Sequence, residues 1–156
     1  MKKQITLTVN DKIHEILIKS NETLLDILRN HLRITSVKAA CWQGDCGLCT
    51  ILLEGVPIKS CLVLAYEADN KRVITVEGLS IEGSVSKLQE SFINNGAVQC
   101  GFCTSAFLLM GHYLLKQGKP LERKEIEHLL NGIICRCTGY KQIIDSILAV
   151  SSISSE

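Results

Sequence analysis

The sequence has no run of like charge longer than a few residues, no apolar stretch of membrane length and no glycine-rich phosphate loop. Each absence removes a class of function. Seventeen Lys and Arg against sixteen Asp and Glu leave a net charge of +1, so there is no electrostatic footprint for nucleic acid or for a membrane surface. The longest apolar segments, such as Ala106 to Met110, fall far short of the roughly 20 residues that span a bilayer. The amino terminus, MKKQITLTVN, alternates polar and apolar residues with no continuous apolar segment after the two lysines, which predicts a strand and not a signal peptide. A soluble, cytoplasmic protein is expected. Neither a G-x-G-x-x-G nor a Walker-type motif occurs, so the chain has no nucleotide-phosphate cradle of its own. There is no internal repeat or low-complexity segment.

What the chain has is cysteine, eight in 156 residues. In a reducing compartment these are not expected to form four disulfides, and their clustering points to metal. The length suits two small domains. A domain under about 80 residues rarely builds a sufficient core, so metal–ligand bonds would help to hold each one together.

Ile5, Leu7 and Val9 alternate with threonines, Asn10-Asp11 supplies a turn, and Ile13 to Ile18 resumes an extended run, which predicts a β-hairpin. From Thr23 the period becomes helical, with Leu24, Leu25, Ile27, Leu28 and Leu32 on one stripe and Asn21 or Ser20 as the expected cap. Ile51 to Leu53 and Val56 to Ser60 flank Glu54-Gly55 as a second hairpin, and Arg72 to Glu77 is expected to close the first half as a strand. The segment from Glu77 to Ser84 carries two glycines and two serines and breaks both periodicities. The domain boundary is placed there, giving domains 1–79 and 80–156. The second half reads as four helices, around Leu88 and Phe92, Phe107 to Leu115, Ile126 to Leu130, and Ile143 to Val150. The class is α+β.

Cys41, Cys46, Cys49 and Cys61 are separated by four, two and eleven residues. This is the opening spacing of plant-type [2Fe–2S] proteins. Gly44 and Gly47 allow positive φ and a close approach of backbone to sulfide. The alternative is a structural zinc site, which prefers repeated C-x₂-C knuckles and is disfavoured by the four-residue gap. Cys100 and Cys103 form a C-x₂-C pair, and Cys135 and Cys137 a C-x-C pair. Residues i and i+2 diverge on a helix, so Cys135-Arg136-Cys137 is expected in a connector between the last two helices. Thr104 and Thr138 then lie near helix amino ends, where free N–H groups stabilise thiolates. A [4Fe–4S] cluster would more often show C-x₂-C-x₂-C, which is absent, and a dithiol redox pair at Cys100/Cys103 lacks the βαβ context.

Cys41-Trp-Gln-Gly-Asp-Cys46-Gly-Leu-Cys49-Thr, Val98-Gln-Cys100-Gly-Phe-Cys103-Thr and Cys135-Arg-Cys137-Thr-Gly-Tyr140 together resemble the iron–sulfur subunit of the xanthine dehydrogenase family of molybdenum hydroxylases, essentially end to end. The resemblance implies a β-grasp, ferredoxin-like first domain and a four-helix second domain, with one [2Fe–2S] cluster in each. It implies molybdopterin in a large partner subunit and FAD in a medium one, assembled as a heterotrimer or its dimer. By the same resemblance Gln99 and Cys137 contact the pterin, and purines are the first expectation for the substrate, ahead of aldehydes, N-heteroaromatic compounds and carbon monoxide. Ala40, Ser105-Ala106 and Ile133-Ile134 depart from the family's usual residues, none of them at a cysteine.

Arg136 reads either as a balance to cluster charge or as an ordinary solvated arginine. Trp42, the single tryptophan, reads as loop packing or as a shield over the first cluster. His14, His31, His112 and His128 show no ligand spacing and read as structural or surface groups, and Phe107, Leu108 and Tyr113 as core or interface. No catalytic acid, base or nucleophile is expected. A free-standing two-cluster ferredoxin and a zinc-stabilised assembly module are the rival readings.

Overall fold

A computed structural model describes residues 2–80 and 83–153, with side chains to residue 151. Met1, and Ile81 and Glu82 of the expected boundary segment, lie outside the described residues. Strands β1 (Lys2–Val9) and β2 (Lys12–Lys19) pair antiparallel with Ile5 opposite Ile16. Asn10 and Asp11 turn between them with φ of 48° and 65°, the positive values that suit the twist of a two-residue hairpin. Strands β3 (Thr50–Leu53) and β4 (Val56–Lys59) form the second hairpin, and β5 (Lys71–Ile74) completes a sheet ordered β2-β1-β5-β3-β4. β1 and β5 run parallel, and the other neighbours antiparallel.

Across this sheet lies the short helix α1 (Leu24–Asp26), continued by a wider π turn over Ile27–His31. Leu24, Leu25, Ile27 and Leu28 are buried with Ile5, Leu7, Ile18 and Ile51 in one core. Each such side chain stabilises the fold by about 1.5–3 kcal/mol through removal from water. This is the β-grasp arrangement. The cap is Thr23 and not Asn21 or Ser20: Asp26 N–H donates to Thr23 Oγ1 at 3.2 Å, and Thr23 N–H donates back to the Asp26 carboxylate at 2.9 Å. Thr23, unlike Ser20 and Asn21, has an acid three residues on, and that pair forms the reciprocal box. β5 is also shorter than expected, ending at Ile74; Val76–Leu79 forms a 3-10 turn. Thr75 leaves the ladder because its N–H donates to Asn10 Oδ1 at 2.9 Å.

Four helices follow: α2 (Lys87–Asn94), α3 (Thr104–Leu115), α4 (Arg123–Leu130) and α5 (Lys141–Ile153). Ser86 and Gln89 cap α2 reciprocally. Phe92, Phe107, Leu109, Ile126 and Ile147 make the centre of the second core. α2 and α5 meet through small residues, with Ser91 Oγ donating to the Ser146 carbonyl at 2.8 Å. Among the described residues, no helix is long and apolar enough to cross a membrane.

The two cores meet at the first cysteine loop. Cys46, Leu48 and Leu52 belong to the helical cluster, although they come from the first half. Arg29, in the π turn, donates to the carbonyls of Thr35 and Val37 at 3.2 and 2.6 Å, pinning the segment that leads into the loop. Ser105, in α3, donates to the Ser36 carbonyl at 2.8 Å.

Candidate metal centres

Cys41, Cys46 and Cys49 sit on an irregular loop that turns through Trp42, Gly44 and Gly47 at φ of 59°, 88° and 67°. Cys61 arrives from the turn after β4. The loop curls back on itself, so that Cys46 N–H donates to Cys41 Sγ at 3.4 Å. That donor, with further N–H groups of the loop, brings the Cys41 thiol down to about 6. Cys61 goes the other way: burial and the neighbouring Cys49 thiol push it up to about 11. Cys41 and Cys46 act on one another through their side chains, as do Cys61 and Cys49, while Cys61 also feels the charge of Cys41. The four thiols are one neighbourhood made of two pairs.

The second set repeats the pattern. Cys103 immediately precedes α3, and Cys135 and Cys137 lie on the connector between α4 and α5, as expected of a C-x-C pair. Cys137 Sγ lies 3.6 Å from Cys100 Sγ. Cys103 interacts with Cys135, and burial followed by that neighbour pushes it up to about 12. Burial also acts to raise Cys135, but the hydroxyl and N–H of Thr138 on its sulfur outweigh burial and hold it below the ordinary thiol value. The hydroxyl of Tyr140 accepts from Cys135 N–H at 3.1 Å, and its ring packs edge-on against Phe107 at 5.9 Å.

Among the described residues, no three His, Cys, Asp or Glu side chains converge on one ion-sized point; the thiols meet in twos. All eight are free. Two pairs per set, with amide N–H groups turned toward sulfur and glycines at positive φ beside them, fit a binuclear cluster in which each iron takes two thiolates. Such a cluster is the group these residues could hold.

The two sets are joined by backbone. Ile134 N–H donates to the Cys46 carbonyl at 2.9 Å, and a Cβ on Gly47 would sit 2.0 Å from the Gly132 carbonyl oxygen. Lys38, just before the first loop, places its ammonium 5.7 Å from the centre of the Phe102 ring in the second. These links, and the Tyr140 contact to Cys135, have no signal in the sequence, whereas the expected N–H of Thr138 does reach a thiol, Cys135 Sγ at 3.4 Å, with its hydroxyl beside it. Only the threonine three residues after Cys135 carried a local signal, because hydroxyls at that spacing commonly turn back on their own chain.

Gln99 is exposed beside the exposed Cys100, and Arg136 is exposed between Cys135 and Cys137. Trp42 is 51% exposed, so it neither packs away in the loop nor seals it. His31 bonds Glu22 at 3.0 Å, and burial holds His112 below the ordinary imidazole value. Phe107 and Leu108 are core residues and Tyr113 packs at the core's margin.

Comparison with known proteins agrees with this geometry. Residues 7–77 match the family model of a 2Fe-2S iron–sulfur cluster binding domain, and residues 75–148 that of a [2Fe-2S] binding domain. The chain is 41% identical over 145 residues to the nicotine 6-hydroxylase small subunit of Paenarthrobacter nicotinovorans, covering 93% of this chain and 87% of that one. It is 38% identical to the xanthine dehydrogenase iron–sulfur-binding subunit of Escherichia coli O157:H7, covering 92% and 91%. Its fold superposes on quinoline 2-oxidoreductase from Pseudomonas putida 86 with a TM-score of 0.93 at 39% identity, covering 99% of this chain and 96% of that one. The chain therefore belongs to the [2Fe–2S] small subunits of the xanthine dehydrogenase family of molybdenum hydroxylases, as the iron–sulfur component of an oxidoreductase.

Proposed function

We propose that this chain is an electron-transfer subunit in which Cys41, Cys46, Cys49 and Cys61 hold one [2Fe–2S] cluster and Cys100, Cys103, Cys135 and Cys137 hold the second. The gathering of the eight thiols into four pairs carries the proposal. When bound, each cluster takes up and releases single electrons, so two in series connect the two-electron oxidation of a substrate at molybdopterin in a large partner subunit to FAD in a medium one. The chain's own residues supply thiolates, turn N–H groups onto sulfur and keep water from the first set.

Gln99 and Cys137 are assigned to the pterin side of the relay. What supports this is their exposure next to Cys100, with the apolar Val98, Phe102 and Ile134 also exposed on the segments that carry the second set. An exposed apolar patch beside a redox site suits a permanent partner. A heterotrimer or its dimer follows from the same reading. N-heteroaromatic substrates are favoured for the assembly, because nicotine, xanthine and quinoline name the relatives above. The boundary at residues 79 and 80 is supported by the two family models meeting at residues 75–77. A cytoplasmic location is supported by the eight free thiols.

Iron and acid-labile sulfide analysis joined to low-temperature EPR after dithionite reduction tests the proposal. About four irons and two distinct [2Fe–2S] signals are expected. Bound zinc with no signal would overturn the electron-transfer function, and isolation of the iron-loaded chain without larger partners would favour a free-standing ferredoxin.

A further inference from the structure

Three cysteine–threonine steps punctuate the two thiol sets: Cys49-Thr50, Cys103-Thr104 and Cys137-Thr138. Thr50 and Thr138 use their hydroxyls differently. Thr50 Oγ1 donates to the Gly47 carbonyl at 2.6 Å, so its proton is spent inside the loop backbone. Thr138 is 8% exposed, and its Oγ1 lies 3.2 Å from Cys135 Sγ. Its backbone N–H reaches the same sulfur at 3.4 Å. Tyr140 N–H donates to Thr138 Oγ1 at 3.2 Å, which occupies one lone pair and holds the side chain in place. A thiolate bound to metal has no proton to give. The hydroxyl hydrogen must then point at the sulfur.

From this geometry we propose that Thr138 is a positioning residue that raises the reduction potential of the second-domain cluster through its hydroxyl hydrogen bond to Cys135 Sγ. The inference rests on the assignment of Cys100, Cys103, Cys135 and Cys137 as a cluster-binding set. Reduction adds one negative charge, part of which the ligand sulfurs carry, so a donor on sulfur stabilises the reduced state more than the oxidised state. In the first domain the N–H of Cys46 plays this part on Cys41, and no substitution of a side chain can delete it. In the second, a single side chain can be changed with every cysteine kept.

The test is an EPR-monitored redox titration of the purified, cluster-loaded protein with its partners, comparing wild type, Thr138→Val and Thr138→Ser. Cys61→Ser, which alters a first-set thiol, identifies the first-domain signal. Thr138→Val is expected to lower the reduced-to-oxidised ratio of the second-domain signal about tenfold at fixed poise, a shift of about 59 mV for a one-electron couple. The first-domain signal should stay in place, and Thr138→Ser should restore the wild-type midpoint. A merely structural role would lower the melting temperature of Thr138→Val and leave both midpoints where they were, which overturns the proposal; so does an equal shift of both signals. Thr138→Ala is the second hydroxyl-free variant. If neither it nor Thr138→Val assembles the second cluster while Thr138→Ser does, the hydroxyl serves assembly and the proposal fails. Absence of a second signal in the wild type would instead refute the cluster assignment beneath it.

Discussion

The first thiol set is closed over by protein, whereas half of the second lies open. Cys46, Cys49 and Cys61 are buried and Cys41 is half-buried, but Cys100 and Cys137 are exposed, with Cys103 and Cys135 behind them. The difference comes from what each loop is packed against. The first loop is held on one side by the sheet and on the other by the helical core, with Gly47 against the Gly132 carbonyl. In the second set Cys103, at the start of α3, is buried, while Cys100 and Cys137 on the preceding segment and the connector are exposed. An enclosed centre keeps water away with its own backbone and tolerates little change there. An open one leaves part of its enclosure to another molecule, and its adjustable contacts are side chains.

The largest expected effect is in thiol reactivity, where enclosure should leave a chemical map on the iron-free chain. Cys41 is brought down to about 6 by loop N–H groups, while Cys61 and Cys103 are pushed up to about 11 and 12 by burial. At neutral pH the Cys41 thiolate fraction exceeds that of Cys61 by about ten-thousandfold, and the weaker nucleophilicity of the low-pKa thiolate leaves alkylation of Cys41 faster by on the order of a hundredfold, as read by mass spectrometry of the peptides. Stability should follow with opposite signs. Between about pH 6 and the ordinary thiol value of 9.0, the unfolded chain binds a proton at position 41 that the folded chain does not, so the Cys41 contribution grows as pH rises. Above 9.0 the folded chain retains protons on Cys61 and Cys103 that the unfolded chain has lost, and stability declines toward pH 11 and 12. Equal alkylation of Cys41 and Cys61 at neutral pH would erase the distinction between the mouth and the interior of the first loop.

Gly47→Ala and Gly101→Ala put the same change into the two loops. Both glycines have positive φ, 67° and 79°, so each alanine carries about 1–2 kcal/mol of left-handed strain. At Gly47 the new Cβ would also meet the Gly132 carbonyl oxygen at 2.0 Å, whereas at Gly101 it meets nothing within 4 Å. Gly47→Ala should therefore cost about 3 kcal/mol or more in urea denaturation and weaken the first EPR signal, because the two backbones must separate. Gly101→Ala should stay near the strain alone. A Gly101→Ala as damaging as Gly47→Ala would mean that the second loop is enclosed too.

A smaller effect is expected from Tyr140→Phe, which keeps the edge-on packing on Phe107 but removes the acceptor of Cys135 N–H. The expected loss is about 1 kcal/mol, confined to the helical domain and read as a lower melting temperature. A loss in the first domain's signal would show that the inner pair of the second set also supports the first loop.

The hairpins and the four long helices were legible because their signals are local: alternation, a two-residue turn of Asn10 and Asp11, and the stripes that carry Leu88, Phe107, Ile126 and Ile147. The cysteine sets were legible because spacing alone limits what metal they can hold. What could not be read is contact between distant segments. Nothing near Gly47 announces Gly132, eighty-five positions away by subtraction of their numbers, and nothing near Ile134 announces the Cys46 carbonyl. Choosing Thr23 over Asn21 as a cap needed the register of Asp26, and ending β5 at Ile74 needed the Asn10 side chain from the turn between β1 and β2. The packing of Cys46, Leu48 and Leu52 with the helices is another contact of this kind, between segments far apart in the chain.

The smallest expected effect bears on whether side chains also join the two loops. Lys38 and Phe102 are the contact to probe, with the ammonium 5.7 Å from the ring centre and bonded to the Thr35 carbonyl at 2.9 Å. Each residue has other neighbours, so single substitutions mix effects. A double-mutant cycle of Lys38→Met and Phe102→Leu isolates the pair. A coupling of about 0.5–1 kcal/mol is expected for a partly solvated cation over an aromatic face, and it should weaken only slightly with salt. Zero coupling would leave the direct union of the two loops to the backbone contacts of Gly47 with Gly132 and Cys46 with Ile134, supported by Ser105 on the Ser36 carbonyl and by Cys46 and Leu48 in the helical core. The open set would then owe its placement beside the enclosed one to those contacts, of which only the Ser105 hydroxyl and the packed core side chains can be tuned by substitution outside the glycines.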